Sequence, residues 1–360
     1  MKKVLIWVLV IGLLAGFLAP LITSSNSNSE SKAATFGFEE NLAVVAGQIV
    51  AIPIRIVDGS TALTLSISDS VVLKIAKPKK KEVFLLDTKK MKLGAYLLEL
   101  KVTDAQKNRF SEQRNLRILS AIKPERWSVK LGASYSHDPQ NYTQGLTFWN
   151  GELFESTGDP NQTGSSMVAK IDLQTGKPVQ KGATVFKKQL DASKFGEGMA
   201  VINNEIFQLT WKNQQCFVYD LNSFELKKEF AYSGEGWGLC TDGKQLIMSD
   251  GTERITFRDP KNFQTIRTIE VYTDQGPLPQ LNELEYIDGL IYANIYTTNF
   301  VAVIDPVLGS VIALIDASNV VNAAKGNGEV LNGIAYNPAT KKTYMTGKYW
   351  PKLVEVSFIK

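Results

Sequence analysis

The chain has 360 residues, 44% of them apolar and 21% charged, with a net charge of +4. The length sets two domains as the starting expectation, and so small a charge makes no case for a nucleic-acid partner. One histidine and two cysteines argue against a multi-histidine metal centre and against a Ser-His arrangement with spare parts.

Lys2 and Lys3 precede a nearly unbroken apolar stretch from Val4 to Thr23. At about 20 residues it is long enough to span a bilayer, and the flanking lysines favour a cytoplasmic N-terminus. A cleaved signal peptide is the rival reading, but no clean small-x-small site follows the stretch. Residues 1–23 are therefore expected to be a membrane anchor or signal, with the rest of the chain exported to the periplasm or cell envelope. Residues 24–35 then form a polar, serine-rich linker with nothing to bury.

Seven short apolar runs follow: Leu42–Ala46, Ile49–Ile56, Leu63–Ile67, Val71–Ile75, Val83–Leu86, Tyr96–Val102 and Leu116–Leu119. Many alternate in polarity with period two and no helical pattern intervenes, so residues 36–121 read as an immunoglobulin-like β-sandwich. It carries no histidine, cysteine or evident catalytic pair, which suits a spacer or docking module. Its basic run, Lys77 to Lys81, reads as a solvated hairpin tip rather than a lipid or nucleic-acid contact.

From residue 122 onward one pattern is written five times. The copies are QGLTFWNGELFESTG from Gln144, EGMAVINNEIFQLTW from Glu197, WGLCTDGKQLIMSDG from Trp237, NELEYIDGLIYANIY from Asn282 and NGIAYNPATKKTYMTGKYW from Asn332. Their starts lie 53, 40, 45 and 50 residues apart. Strand–turn–strand units at a period of roughly 40–50 specify a β-propeller, here five-bladed. The turns fall at Asn150-Gly151, Asn203-Asn204, Asp242-Gly243, Asp288-Gly289 and Asn337–Lys342, pairs and loops that tolerate positive φ. Cys216 and Cys240 fall in different repeats and read as buried free thiols rather than a disulfide.

In a propeller the inner strands run the same way around one axis, so equivalent positions form a ring at one mouth of the channel. That ring comprises Gln144, Glu197, Trp237, Asn282 and Asn332, with Trp211, Tyr296, Lys348 and Trp350 close by. The bland alternative is that the amides merely bond neighbouring backbone in the channel. His137, just before the first repeat in His137-Asp138-Pro139, reads as part of a structural turn. No glycine-rich phosphate cradle opens a helix. What remains is acid/base work by a carboxylate in an aromatic-walled pocket, with amide and ammonium donors for a developing oxyanion.

The ordered strings HDPQNYTQGLTF, LFESTG, FGEGM, QLTW, YSGEGWGL, MSDGT, LNELEYIDG, YANIY, LNGIAY and TGKYWPKL resemble the plant and bacterial type of glutaminyl-peptide cyclotransferase. The likeness runs from about His137 to Val356 and leaves the anchor and sandwich uncovered. It implies a zinc-free five-bladed propeller that converts the N-terminal glutamine of peptides or proteins to pyroglutamate with loss of ammonia. By motif it places the proton shuttle at Glu197, with Lys348 and Asn282 as catalytic partners. Gln144, Trp211 and Trp237 are its substrate contacts by motif, Tyr296, Asn332 and Trp350 are added from the ring of repeat positions, and no cofactor or metal is expected. Where many members read ANVW, this chain has Ala293-Asn294-Ile295-Tyr296, so one pocket wall is smaller and more polar.

Two rivals remain on the sequence. One is an envelope propeller that binds peptides or glycans without chemistry. The other is a calcium-dependent propeller hydrolase, for which Glu197, Glu283, Asp250, Asn282 and Asn332 supply oxygen ligands. A monomer is the default for a closed propeller.

Overall fold

The computed structural model describes residues 34–38 and 41–360. The expected anchor and most of the serine-rich linker lie outside the described residues. Strand dominates, and the one α-helix among the described residues, Ser318–Ala324, is a single short element.

The C-terminal part has five four-stranded antiparallel blades: three are separate sheets, and the fourth and fifth are joined into one eight-stranded sheet by a single parallel pairing. Their inner strands are Tyr142–Trp149, Gly196–Ile202, Leu239–Thr241, Leu281–Ile287 and Leu331–Asn337, one per sequence repeat. These five pack against one another in cyclic order and close a ring. An apolar cluster fills the space between each neighbouring pair of blades. The blade order is thus the repeat order.

The ring is closed by strand Glu125–Ser136, which comes before the first repeat in the chain. It pairs antiparallel with Lys352–Ile359 as the outer strand of the fifth blade. It also pairs parallel with Val311–Asp316, the outer strand of the fourth. N-terminal and C-terminal segments are thereby stitched together at the position where an open propeller would come apart.

The turns follow the sequence expectation in three of the first four blades. Both residues have positive φ at Asn150-Gly151, Asn203-Asn204 and Asp288-Gly289, the backbone that matches a tight twisted hairpin. Asp242-Gly243 differs, with positive φ at Gly243 alone. The Asp242 carboxylate instead accepts from the N–H groups of Lys244 and Gln245, making a longer side-chain-closed turn.

All seven expected N-terminal runs are strands, joined by an additional short strand, Ala34–Phe36. They form a three-stranded and a five-stranded sheet around a shared apolar core. Within the larger sheet, Leu42–Val45 pairs parallel with Arg109–Leu119. The Lys77–Lys81 segment connects strands of the two different sheets, so it is an exposed crossover rather than a hairpin tip. This unit is docked on the propeller. Tyr272 joins its core, Ser120 Oγ bonds Ser310 Oγ at 3.0 Å, and Glu270 accepts from the Ala95 N–H. Cys216 and Cys240 are free and buried, in different inter-blade cores.

Candidate active site

Four of the five inner strands are interrupted at the residue that opens the repeat. The pairing register shifts between Thr143 and Gly145, Gly196 and Met199, Leu281 and Leu284, and Leu331 and Ile334. Gln144, Glu197, Asn282 and Asn332 are the residues released by these β-bulges. A bulge frees a residue from the alternating pattern and re-aims its side chain, here toward the axis. Trp237 stands just ahead of the third inner strand, its N–H donating to the Ser249 carbonyl.

The residue after each of these is glycine in four blades, for a packing reason. A Cβ on Gly145, Gly198 or Gly238 would lie 2.5, 2.4 or 2.0 Å from backbone of the next blade. Gly333 has φ +129. The fourth blade alone carries Glu283 at this position. Its carboxylate enters the channel and accepts from the N–H groups of Leu146 (3.1 Å) and Ile334 (2.8 Å), in the first and fifth blades. Two residues on, Glu285 accepts from Tyr336 N–H at 2.8 Å. Burial raises both carboxyls, that of Glu285 to about 8.

Above these acids a cavity of about 630 Å³ opens at the channel mouth. Gln144, Glu197, Trp211, Trp237, Asn282, Tyr296 and Lys348 line it, seven of the nine residues expected from sequence. Asn332 and Trp350 do not. Asn332 is fully buried beneath the mouth, its Nδ2 donating to the Thr143 carbonyl (2.9 Å) and to Gln144 Oε1 (3.2 Å). It fixes Gln144 from below, which leaves the Gln144 amide nitrogen for the cavity. Trp350 is drawn into the core between the fourth and fifth blades, packs on Gly347, and donates its indole N–H to the Glu329 carbonyl.

Glu197 is 4% exposed. Burial pushes its carboxyl well above the usual range, the Lys348 charge pulls it back, and Glu235 adds to the rise. Lys348 is 2% exposed. Its Nζ sits 4.4 Å from the ring centre of Tyr142 and 5.0 Å from that of Tyr296. Burial lowers this ammonium to about 8, against the opposing pull of Glu197. Asn282 is buried and its Oδ1 has no hydrogen-bond partner among the described residues. A buried acceptor costs free energy unless something donates to it, and this one borders the cavity.

The cavity wall is an aromatic collar. Tyr142 meets Phe195 edge-on at 6.0 Å, and Phe195 meets Trp211 at 5.6 Å. Across the mouth Trp237 meets Tyr296 at 5.5 Å, and Lys348 links Tyr296 back to Tyr142. Tyr142, Phe195 and Glu235 were not anticipated. Tyr142, Phe195 and Glu235 each precede a repeat start by two residues.

Two of the five oxygen donors of the calcium-binding alternative are already engaged. Both Glu283 oxygens accept backbone N–H groups. Asp250 is held by Thr252 and Arg254. His137 is buried and does not line the cavity; its ring is bonded to the Trp350 carbonyl (2.6 Å) and to Glu155 (3.0 Å).

A family model described as glutamine cyclotransferase matches residues 100–358. A glutaminyl-peptide cyclotransferase of Arabidopsis thaliana is 36% identical over 234 residues, 63% of this chain and 70% of that protein. The crystal structure of Myxococcus xanthus glutaminyl cyclase is similar with a TM-score of 0.60 and 35% identity, covering 66% of this chain and 99% of that one.

Proposed function

Because the chain belongs to the glutamine cyclotransferase family and is a glutaminyl cyclase, we propose that Glu197, Lys348 and Asn282 perform the cyclisation in the collared cavity. The substrate is the N-terminal glutamine of a peptide or protein. Its α-amine attacks the side-chain amide carbon, a ring C–N bond forms, the bond to the amide nitrogen breaks, and ammonia leaves.

The carrying observation is a buried carboxyl at the cavity wall, Glu197, coupled to a lysine of lowered basicity inside an aromatic collar. Free α-amines titrate near pH 7.7–8.0, so the nucleophile is readily neutral. Attack within one molecule needs mainly the folded-back conformer, which the cavity walls select. Glu197 accepts the proton released by the attacking amine and delivers it to the departing nitrogen. A carboxyl with a raised pKa suits both halves of that transfer. Asn282 Oδ1 accepts from the amine and orients it. Lys348 and the Gln144 amide stabilise the oxygen that gains charge as the amide carbon becomes tetrahedral. Trp211 and Trp237 flank the apolar stem of the glutamine and exclude water.

The remaining assignments rest on chain pattern. Residues 1–23 anchor the protein in the membrane or direct export, 24–35 are the linker, 36–121 form an immunoglobulin-like sandwich, and 122–360 are the catalytic propeller. The sandwich reading is supported by two facing sheets around one core. The protein works in the periplasm or cell envelope as a monomer. Loss of one ammonia from Gln-initiated peptides, read by mass, with Asn-initiated controls unchanged, tests the activity.

A further inference from the structure

The aromatic collar is closed by ring contacts except at two places: between Tyr296 and Tyr142, where the Lys348 ammonium bridges, and between its two tryptophans. Between the tryptophans Glu235 intervenes. A single oxygen, Oε2, accepts the indole N–H of Trp211 at 2.7 Å and that of Trp237 at 2.9 Å. Trp211 follows the second strand of blade two and Trp237 precedes the inner strand of blade three, so one carboxylate bridges two blades. The Nζ of Lys212 lies 4.0 Å from the Trp211 ring centre and 4.0 Å from Glu235 Oε1.

We propose that Glu235 is a positioning residue of the cyclase site: it fixes the separation of the Trp211 and Trp237 walls that grip the substrate glutamine. It does not line the cavity, and it acts on substrate only through the indoles. The inference rests on the reading of the cavity as the glutamine site. A charged acceptor shared by two donors makes stronger bonds than a neutral one, and two fixed N–H vectors leave each indole little freedom to rotate. A wall held this way binds ground state and transition state alike, so its loss appears in KM before kcat.

The same carboxylate has an electrostatic effect on Glu197. The groups facing Glu197 are Lys348, which favours its charge, and Glu235, which opposes it, with the Tyr142 and Tyr232 phenols nearby. Neutralising Glu235 moves the Glu197 limb of the pH profile to lower pH, whichever limb it forms.

The experiment compares Glu235→Ala and Glu235→Gln with the wild type on a Gln-initiated dipeptide amide. Glu235→Ala is expected to raise KM about tenfold with kcat within about threefold, the size of one or two partly exposed hydrogen bonds. Glu235→Gln keeps an acceptor oxygen and is expected to hold KM within about threefold while its pH limb moves acidward. A KM unchanged in Glu235→Ala, or a Glu235→Gln enzyme as impaired as Glu235→Ala, overturns the proposal. Should Glu235→Ala not fold, Glu235→Gln decides alone: a raised KM or an unmoved limb overturns it. A wild type inert toward glutamine peptides would instead overturn the activity. The clasp would then be read from near-ultraviolet circular dichroism of the indoles, which must change in Glu235→Ala.

Discussion

The Glu283 carboxylate accepts the backbone N–H of Ile334 at 2.8 Å, so the fourth blade holds the fifth across the channel. Its other oxygen holds Leu146 in the first blade. Glu283→Gln places an NH₂ group against one of these donors and leaves that N–H buried and unpaired. The cost is about 1–3 kcal/mol, or a Tm lower by several degrees at roughly 2–4 °C per kcal/mol. Thermal unfolding checks it, and an unchanged Tm would show that the channel acid is not a clasp.

Gly238 and Gly243 give a matched pair. A Cβ on Gly238 would sit 2.0 Å from the Asn282 carbonyl, whereas Gly243, with φ +85, has nothing within 4 Å. Gly243→Ala is expected to cost only about 1–2 kcal/mol of backbone strain with activity retained. Gly238→Ala must push the third and fourth blades apart, displacing Asn282, and should lose both stability and turnover. Equal effects in the two variants would contradict the close-approach argument.

The ring residues were legible because a repeat of 40–53 residues superimposes the same strand position five times. Which of them face the cavity was not. The bulges that release Gln144, Glu197 and Asn282 arise from pairing between strands, and no single strand announces them. Asn332 carries the same motif position yet spends its amide on Thr143 and Gln144. Trp350 reads as a wall residue, but Gly347 and Gly328 leave room for its ring in the core. Glu235 escaped notice because its two partners lie 24 and 2 residues away, on different blades.

Removing the buried acid should stabilise the fold. The folded-state pKa of Glu197 lies above its ordinary value. The protonated form therefore suits the fold at low pH, and stability is lost as pH rises through the raised pKa. Glu197→Gln does not ionise, so its Tm should exceed the wild-type value at alkaline pH and match it in acid. A wild-type advantage at alkaline pH would contradict this.

The ammonium of Lys348 is lost as pH rises through about 8. Turnover that needs this charge should fall across the same range, giving an alkaline limb in kcat/KM. In Lys348→Arg the guanidinium stays charged, so that limb should disappear even though the bulkier head lowers the maximum. A limb that persists unchanged in Lys348→Arg would assign it to another group.

The most direct test of the mechanism is ammonia release from a Gln-initiated dipeptide amide by the full chain, with Glu197→Gln beside it. The account predicts turnover that survives EDTA and falls by about 10²–10⁴ in the variant, the usual worth of positioned proton transfer. A folded Glu197→Gln that keeps activity within about tenfold of the wild type would contradict the assignment of Glu197 as the proton shuttle.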